Sequence, residues 1–253
     1  MTHPLHFEHV ERIDSTNSAL MRSEFGAVPA PPRALLADHQ EAGRGRNGRP
    51  WVTPPAASIA LSVAVERPLD AASLLGLPLA VGVVVAECVT KEGAQVRLKW
   101  PNDVLVMQAN QTLAKAGGIL VEVRQQAGLQ RVVMGVGLNL LSPPPLQTPR
   151  SSLPAGGLFE SQAVPERLPL AHRLAEALAA LVPAFAAQGL TPWLERWRAL
   201  DAFRDAPIDL VSPDGQRDPV MARGVDERGA LRVERPNGSL ERVTSGEVSV
   251  RGR

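Results

Sequence analysis

A single cysteine, Cys88, in 253 residues leaves no disulfide framework within the chain and no multi-cysteine zinc or iron–sulfur site. That scarcity favours a reducing compartment. Net charge is almost absent as well: 27 Lys and Arg against 26 Asp and Glu leave +1, which argues against a surface devoted to coating DNA or membrane. Any charge-based site has to be local. The first residues, MTHPLHFEHVERIDS, contain acidic side chains and no apolar block of signal-peptide length. The richest apolar stretch, Leu74 to Val89, includes Pro78 and Glu87 and reads as a buried core helix rather than a membrane span. Internal repeats are missing, which excludes solenoids and propellers. Histidine ligand spacing is missing too, apart from His3, His6 and His9, a run read as chance at a frayed terminus. No serine sits in a nucleophile elbow, so Ser-His-Asp hydrolysis has little support. A soluble cytoplasmic protein is expected, with no DNA and no membrane among its partners.

The length fits one large domain, or a large and a small one. A chain of 27.0 kDa buries about 70% of its unfolded surface, enough for a core without staples. Asp14-Ser15-Thr16-Asn17 followed by SALMRSEF and Gly26 predicts a capped helix with a glycine stop. Residues 34–38 and 58–65 read as strands and 71–92 as a long helix ended by Gly93. Four strand-like runs follow at 96–100, 104–107, 118–123 and 131–141. Residues 142–169 are rich in Pro, Ser and Gly and read as a loop; helices are predicted over 168–187 and 192–200. From about Asp205 short β-branched runs separated by turn signals, Asn237-Gly238 the clearest as a two-residue hairpin, predict a small all-β module.

Gly43 to Arg49 holds three glycines and three arginines in seven residues. Glycine lets backbone wrap a ligand, and arginine forks match phosphate or carboxylate oxygens two at a time. The dinucleotide and P-loop readings of this segment both fail, because Pro50 follows where a helix or a Lys-Ser/Thr pair would have to stand. A solvated loop with incidental charge satisfies the same composition. Lys99-Trp100-Pro101-Asn102-Asp103 is good β-turn chemistry, and equally places an amide and a carboxylate at a strand end beside nucleotide phosphates and Mg²⁺. Lys115 before Gly117-Gly118 projects either into solvent or into a cleft. Gly135-Val136-Gly137-Leu138-Asn139 puts small residues in a strand, where a ligand or another backbone approaches.

Taken together and in this order, Ser15-Thr16-Asn17, QEAGRGRNGRPW (40–51), KWPND (99–103), KAGGILVE (115–122) and GVGLN (135–139) resemble the biotin-protein ligases. The tail resembles the family's C-terminal unit through GVDERGALRVE (224–234) and SGEVSVR (245–251). The resemblance implies an α+β fold, a central mixed sheet with helices packed on it as in class II synthetase-like catalytic domains, over residues 1–204. An SH3-like β-barrel follows over 205–253. It implies an ATP-dependent ligase that forms biotinyl-5′-adenylate from biotin and MgATP and passes biotin to a lysine of a biotin carboxyl carrier protein domain. Lys115, Arg44 and Arg46 are then the catalytic residues. Ser15, Thr16, Asn17, Gln40, Arg44, Gly45, Arg46, Lys115, Gly117 and Gly118 bind biotin; Arg46, Arg49, Trp51, Asn102, Asp103, Lys115 and Asn139 bind ATP and the adenylate, with Asp103 also the Mg²⁺-side carboxylate. Family members are often dimers by edge-to-edge sheet contact, a homodimer being open here too. Regulatory members carry an N-terminal helix-turn-helix DNA-binding domain, whereas the first matching motif here starts at residue 14, so a ligase without direct repressor function is expected.

Three other readings compete. A lipoate or octanoyl transferase or ligase shares the central fold but is not expected to combine GRGRNGRPW with KWPND. A nucleic-acid-binding module would need a basic tail, yet residues 205–253 hold nine acidic residues against eight arginines. A biotin-binding pseudoenzyme would lack one of the charged groups, and none is missing.

Overall fold

A computed structural model describes residues 4–25, 30–54, 56–144, 153–160, 163–212, 214–244 and 249–252. Seven strands form one mixed sheet: β1 (His6–Ile13), β2 (Arg33–Gln40), β3 (Ser58–Arg67), β4 (Val96–Lys99), β5 (Asp103–Met107), β6 (Leu113–Gln126) and β7 (Leu129–Asn139). Their order across the sheet is β1-β2-β3-β7-β6-β5-β4. β1 runs parallel to β2 and every other neighbour is antiparallel. The parallel step needs a crossover, and helix α1 (Thr16–Arg22) supplies it. β1 replaces the frayed terminus expected from the sequence. His9 lies on it, its Nε2 2.7 Å from Asp38 Oδ1.

The two central strands are two-faced by residue size. Ile59, Leu61, Val63 and Val65 of β3 and Val132, Met134, Val136 and Leu138 of β7 enter the main core. On the opposite face the same strands present Ala60, Ser62 and Ala64, and Val133, Gly135, Gly137 and Asn139. Large side chains meet the helical layer; small ones leave room for α1 and a cavity. The helical layer is α2 (Leu77–Thr90), α3 (Arg167–Gln188) and α4 (Thr191–Leu200). α2 is apolar nearly all round because sheet and helices cover it. Residues 71–90 and α3 are each long and apolar enough to cross a bilayer, yet 56% and 44% of their most apolar windows are buried within the protein. The long helix expected over 71–92 is broken. A short 3-10 turn over Ala71–Leu74 ends before Gly76, which takes φ 82°, and Pro78 opens α2 where its missing N–H costs nothing.

Strands β8 (Pro207–Val211), β9 (Arg217–Val225), β10 (Leu231–Glu234), β11 (Leu240–Val243) and β12 (Ser249–Gly252) form an antiparallel sheet ordered β11-β10-β9-β8-β12. It has the strand content of an SH3-like unit, and no ladder closes β11 onto β12 among the described residues. The Asn237-Gly238 turn is a three-residue loop rather than a two-residue one. Arg235 N–H donates to Ser239 O, Gly238 N–H donates to Arg235 O, and Gly238 takes φ 82°. The sheet meets the larger one where Trp100 Nε1 donates to Gly229 O at 3.0 Å.

Candidate active site

The small-residue face of the large sheet and the segment after β2 enclose a cavity of about 750 Å³, within the range of small-molecule sites. One end is built by α1. Ser15 caps that helix by accepting from Ser18 N–H, and Thr16 N–H donates to Gln40 Oε1 at 2.8 Å. Asn17 Nδ2 donates to Leu120 O at 3.2 Å and to Glu122 Oε2 at 2.9 Å, which turns Oδ1 toward Ser62. Ser62 Oγ donates to that oxygen at 2.5 Å, so the 2.7 Å contact between the two hydroxyls has Thr16 Oγ1 as donor. The result is a chain from Thr16 through Ser62 and Asn17 to Glu122, in which the single Thr16 hydroxyl proton is shared between Ser62 Oγ and Gln40 Oε1, 3.1 Å away. All of α1's first residues are buried: Ser15, Thr16 and Asn17 are 3%, 3% and 4% exposed.

Glycine on β7 makes this possible. A Cβ at Gly135 would fall inside contact distance of the Asn17 amide, and one at Gly137 would stand 2.5 Å from Nε1 of Trp51. Two neighbouring glycines thus seat two different side chains. The far end of α1 is held by Arg131, which is fully buried. Its Nη1 donates to Leu20 O at 2.9 Å and Ser23 O at 2.5 Å, its Nη2 donates to Glu24 O at 2.6 Å, and its Nε donates to Glu66 Oε1 at 2.7 Å. Carbonyls at the close of a short helix have no intrahelical partner; Arg131 supplies one to each, and Leu20 O also accepts from Ser23 Oγ at 2.9 Å.

The other end is cationic. Lys115 Nζ donates to Asp103 Oδ1 at 2.5 Å and Lys99 Nζ to Oδ2 at 3.3 Å. Burial opposes ionisation of Asp103, but the two ammonium groups outweigh it and hold the carboxyl below its usual range. Burial also pulls the Arg46 guanidinium below its ordinary value, against the attraction of Asp103 and with the repulsion of Arg49. Both Asp103 oxygens thus face lysines. Among the described residues no three His, Cys, Asp or Glu side chains gather as a metal site.

Asn102 and Asn139 line the cavity, and each gives one amide N–H to backbone. Asn102 Nδ2 donates to Ile119 O at 2.7 Å, fixing the β4–β5 turn, and Asn139 Nδ2 donates to Gly156 O at 3.2 Å. The latter bond anchors residues 153–158, which also exchange backbone bonds with Lys115. Of the segment expected to be a loop over 142–169, this strap is therefore ordered against β6 and β7, while 145–152 and 161–162 lie outside the described residues. Trp51 rests on the glycine strand with its Nε1 buried and unbonded, and Lys115 Nζ lies 5.8 Å from its ring centroid.

The model of the biotin/lipoate A/B protein ligase family matches residues 9–139, and that of the biotin protein ligase C terminal domain matches 214–251. The chain belongs to the biotin-protein ligases. Bifunctional ligase/repressor BirA of Escherichia coli is 35% identical over 244 residues, 94% of this chain and 72% of that protein. The biotin–[acetyl-CoA-carboxylase] ligase of Mycobacterium tuberculosis is 33% identical over 245 residues, 94% of this chain and 86% of that one. In fold, the biotin protein ligase of Aquifex aeolicus in complex with biotin and ATP superposes with a TM-score of 0.76 at 22% identity, covering 98% and 99% of the two chains.

In this ligase one cavity gathers Ser15, Thr16, Asn17 and Gln40 at one end, Asn102, Asp103, Lys115 and Gly118 toward the other, and Arg44, Gly45, Arg46, Arg49 and Trp51 over it, with Asn139 beneath the strap. Gly117 is set apart: its open face packs against Leu138 and Val104, away from the cavity. Arg44 is turned toward Ser18 and Glu122 rather than toward Asp103. Ser62, Lys99 and Glu122 are the site residues given no role from the sequence, although Lys99 and Glu122 lie within the KWPND and KAGGILVE motifs. The only sign of Ser62 in the sequence is a second hydroxyl inside a largely apolar run, SIALSVAV.

Proposed function

We propose that this ligase activates biotin with MgATP and transfers it to one lysine of a biotin carboxyl carrier protein domain, in the cytoplasm. In the first step a carboxylate oxygen of biotin attacks the α-phosphorus and the bond to pyrophosphate breaks, giving biotinyl-5′-adenylate. In the second the neutral amine of the acceptor lysine attacks the acyl carbon, AMP leaves, and an amide forms. The observation that carries this reading is the polarity of the cavity, with a hydroxyl–amide network at one end and two lysines around a single carboxylate at the other.

The first end suits an uncharged polar ring, held by Ser15, Thr16, Asn17 and Gln40. The second suits oxyanions, because bringing a carboxylate to a phosphate needs positive charge fixed in advance in a water-poor site. Lys115 and Arg46 stabilise the charge that builds at the α-phosphate, Arg49 faces the leaving phosphates, and Trp51 lines the pocket between ring and adenine. Asn102, Asp103 and Asn139 serve the nucleotide side by holding the turn, the lysines and the strap. Residues 1–204 act as the catalytic unit and 205–253 as a small β unit beside the nucleotide end, next to Trp100.

Pyrophosphate–ATP exchange by the purified protein, run with biotin, with lipoate and with neither, tests the first step without an acceptor. Exchange with biotin alone is expected. Exchange with lipoate instead would move the chain to the lipoate branch of its family, and no exchange with either would overturn the reading.

A further inference from the structure

We propose that Glu122 positions the arginine loop against the biotin-end helix, and that Arg44 serves this anchorage rather than the reacting phosphate. The proposal rests on the biotin-ligase reading above.

Gly118, Leu120 and Glu122 alternate along β6 on the cavity face, opposite Gly137, Gly135 and Val133 of β7. Glu122 therefore stands at the rim beside Asn17. Its carboxylate accepts from Asn17 Nδ2 at 2.9 Å, and Arg44 Nη2 lies 3.4 Å from each of its oxygens. The same Arg44 nitrogen donates to Ser18 Oγ at 2.9 Å. Three separate pieces of chain, the sheet, the first turn of α1 and the stem of the loop, thus meet on one carboxylate.

The stem itself is a closed backbone unit. Trp51 N–H donates to Gly43 O at 2.8 Å, Gly45 N–H donates to Arg49 O at 2.6 Å, and Arg44 and Pro50 form an isolated bridge. Fixing Arg44 accordingly fixes where the whole unit sits. Distance sets Arg44 apart from the chemistry. Lys115 Nζ lies beside Gly118, 3.7 Å from the position of an added Cβ, and Glu122 is four residues further along the strand, about 13 Å at strand rise. An arginine held at Glu122 borders the ring end, not the α-phosphorus.

The experiment is steady-state pyrophosphate exchange on the full chain for wild type, Glu122→Gln, Arg44→Met and the double variant, varying biotin and ATP separately. Glu122→Gln keeps an acceptor for Asn17 while removing the charge that holds Arg44. Each single change is expected to raise the KM for biotin about tenfold, with kcat and the KM for ATP essentially unchanged. The double variant should be no worse than either single one, because both remove the same contact. Added salt should raise the wild-type KM toward that of Glu122→Gln and leave the variant unmoved. An unchanged biotin KM in Glu122→Gln, or additive effects in the double variant, would overturn the anchor. A fall in kcat or a raised KM for ATP in Arg44→Met would do the same by placing Arg44 on the phosphate. A wild type inert with biotin would overturn the ligase reading itself, so the two failures are distinguishable.

Discussion

Lys115 touches Asp103, Trp51 and the strap at once, and each contact limits where its charge can go. In the proposed reaction a lysine held there would meet a phosphate oxygen without reorganisation, which is the condition under which one fixed donor is worth about 3 kcal/mol in a transition state. Lys115→Ala is expected to slow adenylate formation by at least about a hundredfold; single-turnover formation of the adenylate measures it, and an unchanged rate would remove Lys115 from the chemistry. Arg46, half-buried at the closed end of the loop, plays a different part. Arg46→Gly should let activated biotin escape, seen as faster biotinylation of free hydroxylamine or bystander amines at unchanged adenylation. Gly135→Ala sets a methyl group where the Asn17 amide lies. The chain should still fold, with biotin affinity measured by calorimetry falling at least about tenfold, since Asn17 has no second place to go.

At the scale of elements, α1 is seven residues long, too short to stand by propensity. It is held by Ser15 at its start and Arg131 at its close. Arg131→Met would take from Glu66 its buried cation and from Ser23 O and Glu24 O their guanidinium donor, while Leu20 O keeps Ser23 Oγ, at a cost of about 3–5 kcal/mol. Urea unfolding measures that loss, and a variant as stable as its parent would show that α1 does not depend on the clamp. The elements themselves differ in how plainly the chain announces them. The cap of α1, the strands 34–38 and 58–65 and the helices after residue 167 follow from periodicity and capping residues. β1 does not, because an edge strand paired on one side tolerates the charges of HFEHVERI. The break at Gly76 hides inside an apolar run whose composition suits a continuous helix. In the site, dense motifs such as 43–51 and 99–103 were legible. Ser62 was not, since a polar residue in a strand looks like ordinary alternation until the fold shows what it faces, and Glu122 was quoted within a motif without its partner Arg44 being visible.

The molecule as a whole is stitched together near residue 200. Ala202 N–H donates to Leu98 O at 2.8 Å, and Asp201, at the end of α4, accepts from Phe203 N–H at 3.0 Å while its second oxygen is buried without a partner. Burial is the main cause that pushes the Asp201 carboxyl up, to about 6. The folded chain therefore holds this proton more tightly than the unfolded one, so the stability it contributes is whole below pH 4 and is lost as pH rises through 6. Asp201→Asn should stabilise the protein at pH 7.5 by about 1–3 kcal/mol and change little at pH 4. Thermal melts at the two pH values check it, and an equal shift at both would show that the effect is not one of charge.

Across β3 and β7, Ala60 stands opposite Gly137 and Ser62 opposite Gly135, a tile of four small residues whose immediate sequence neighbours all belong to the core. For an engineer the strands are therefore separable by parity. Varying 60, 62, 135 and 137 reshapes the floor of the cavity on which Asn17 and Trp51 are seated, while 59, 61, 134 and 136 stay as scaffold. Any chain of this family retuned to attach a different chemical handle to proteins would have to change first on that tile, together with whatever side chain is seated above it.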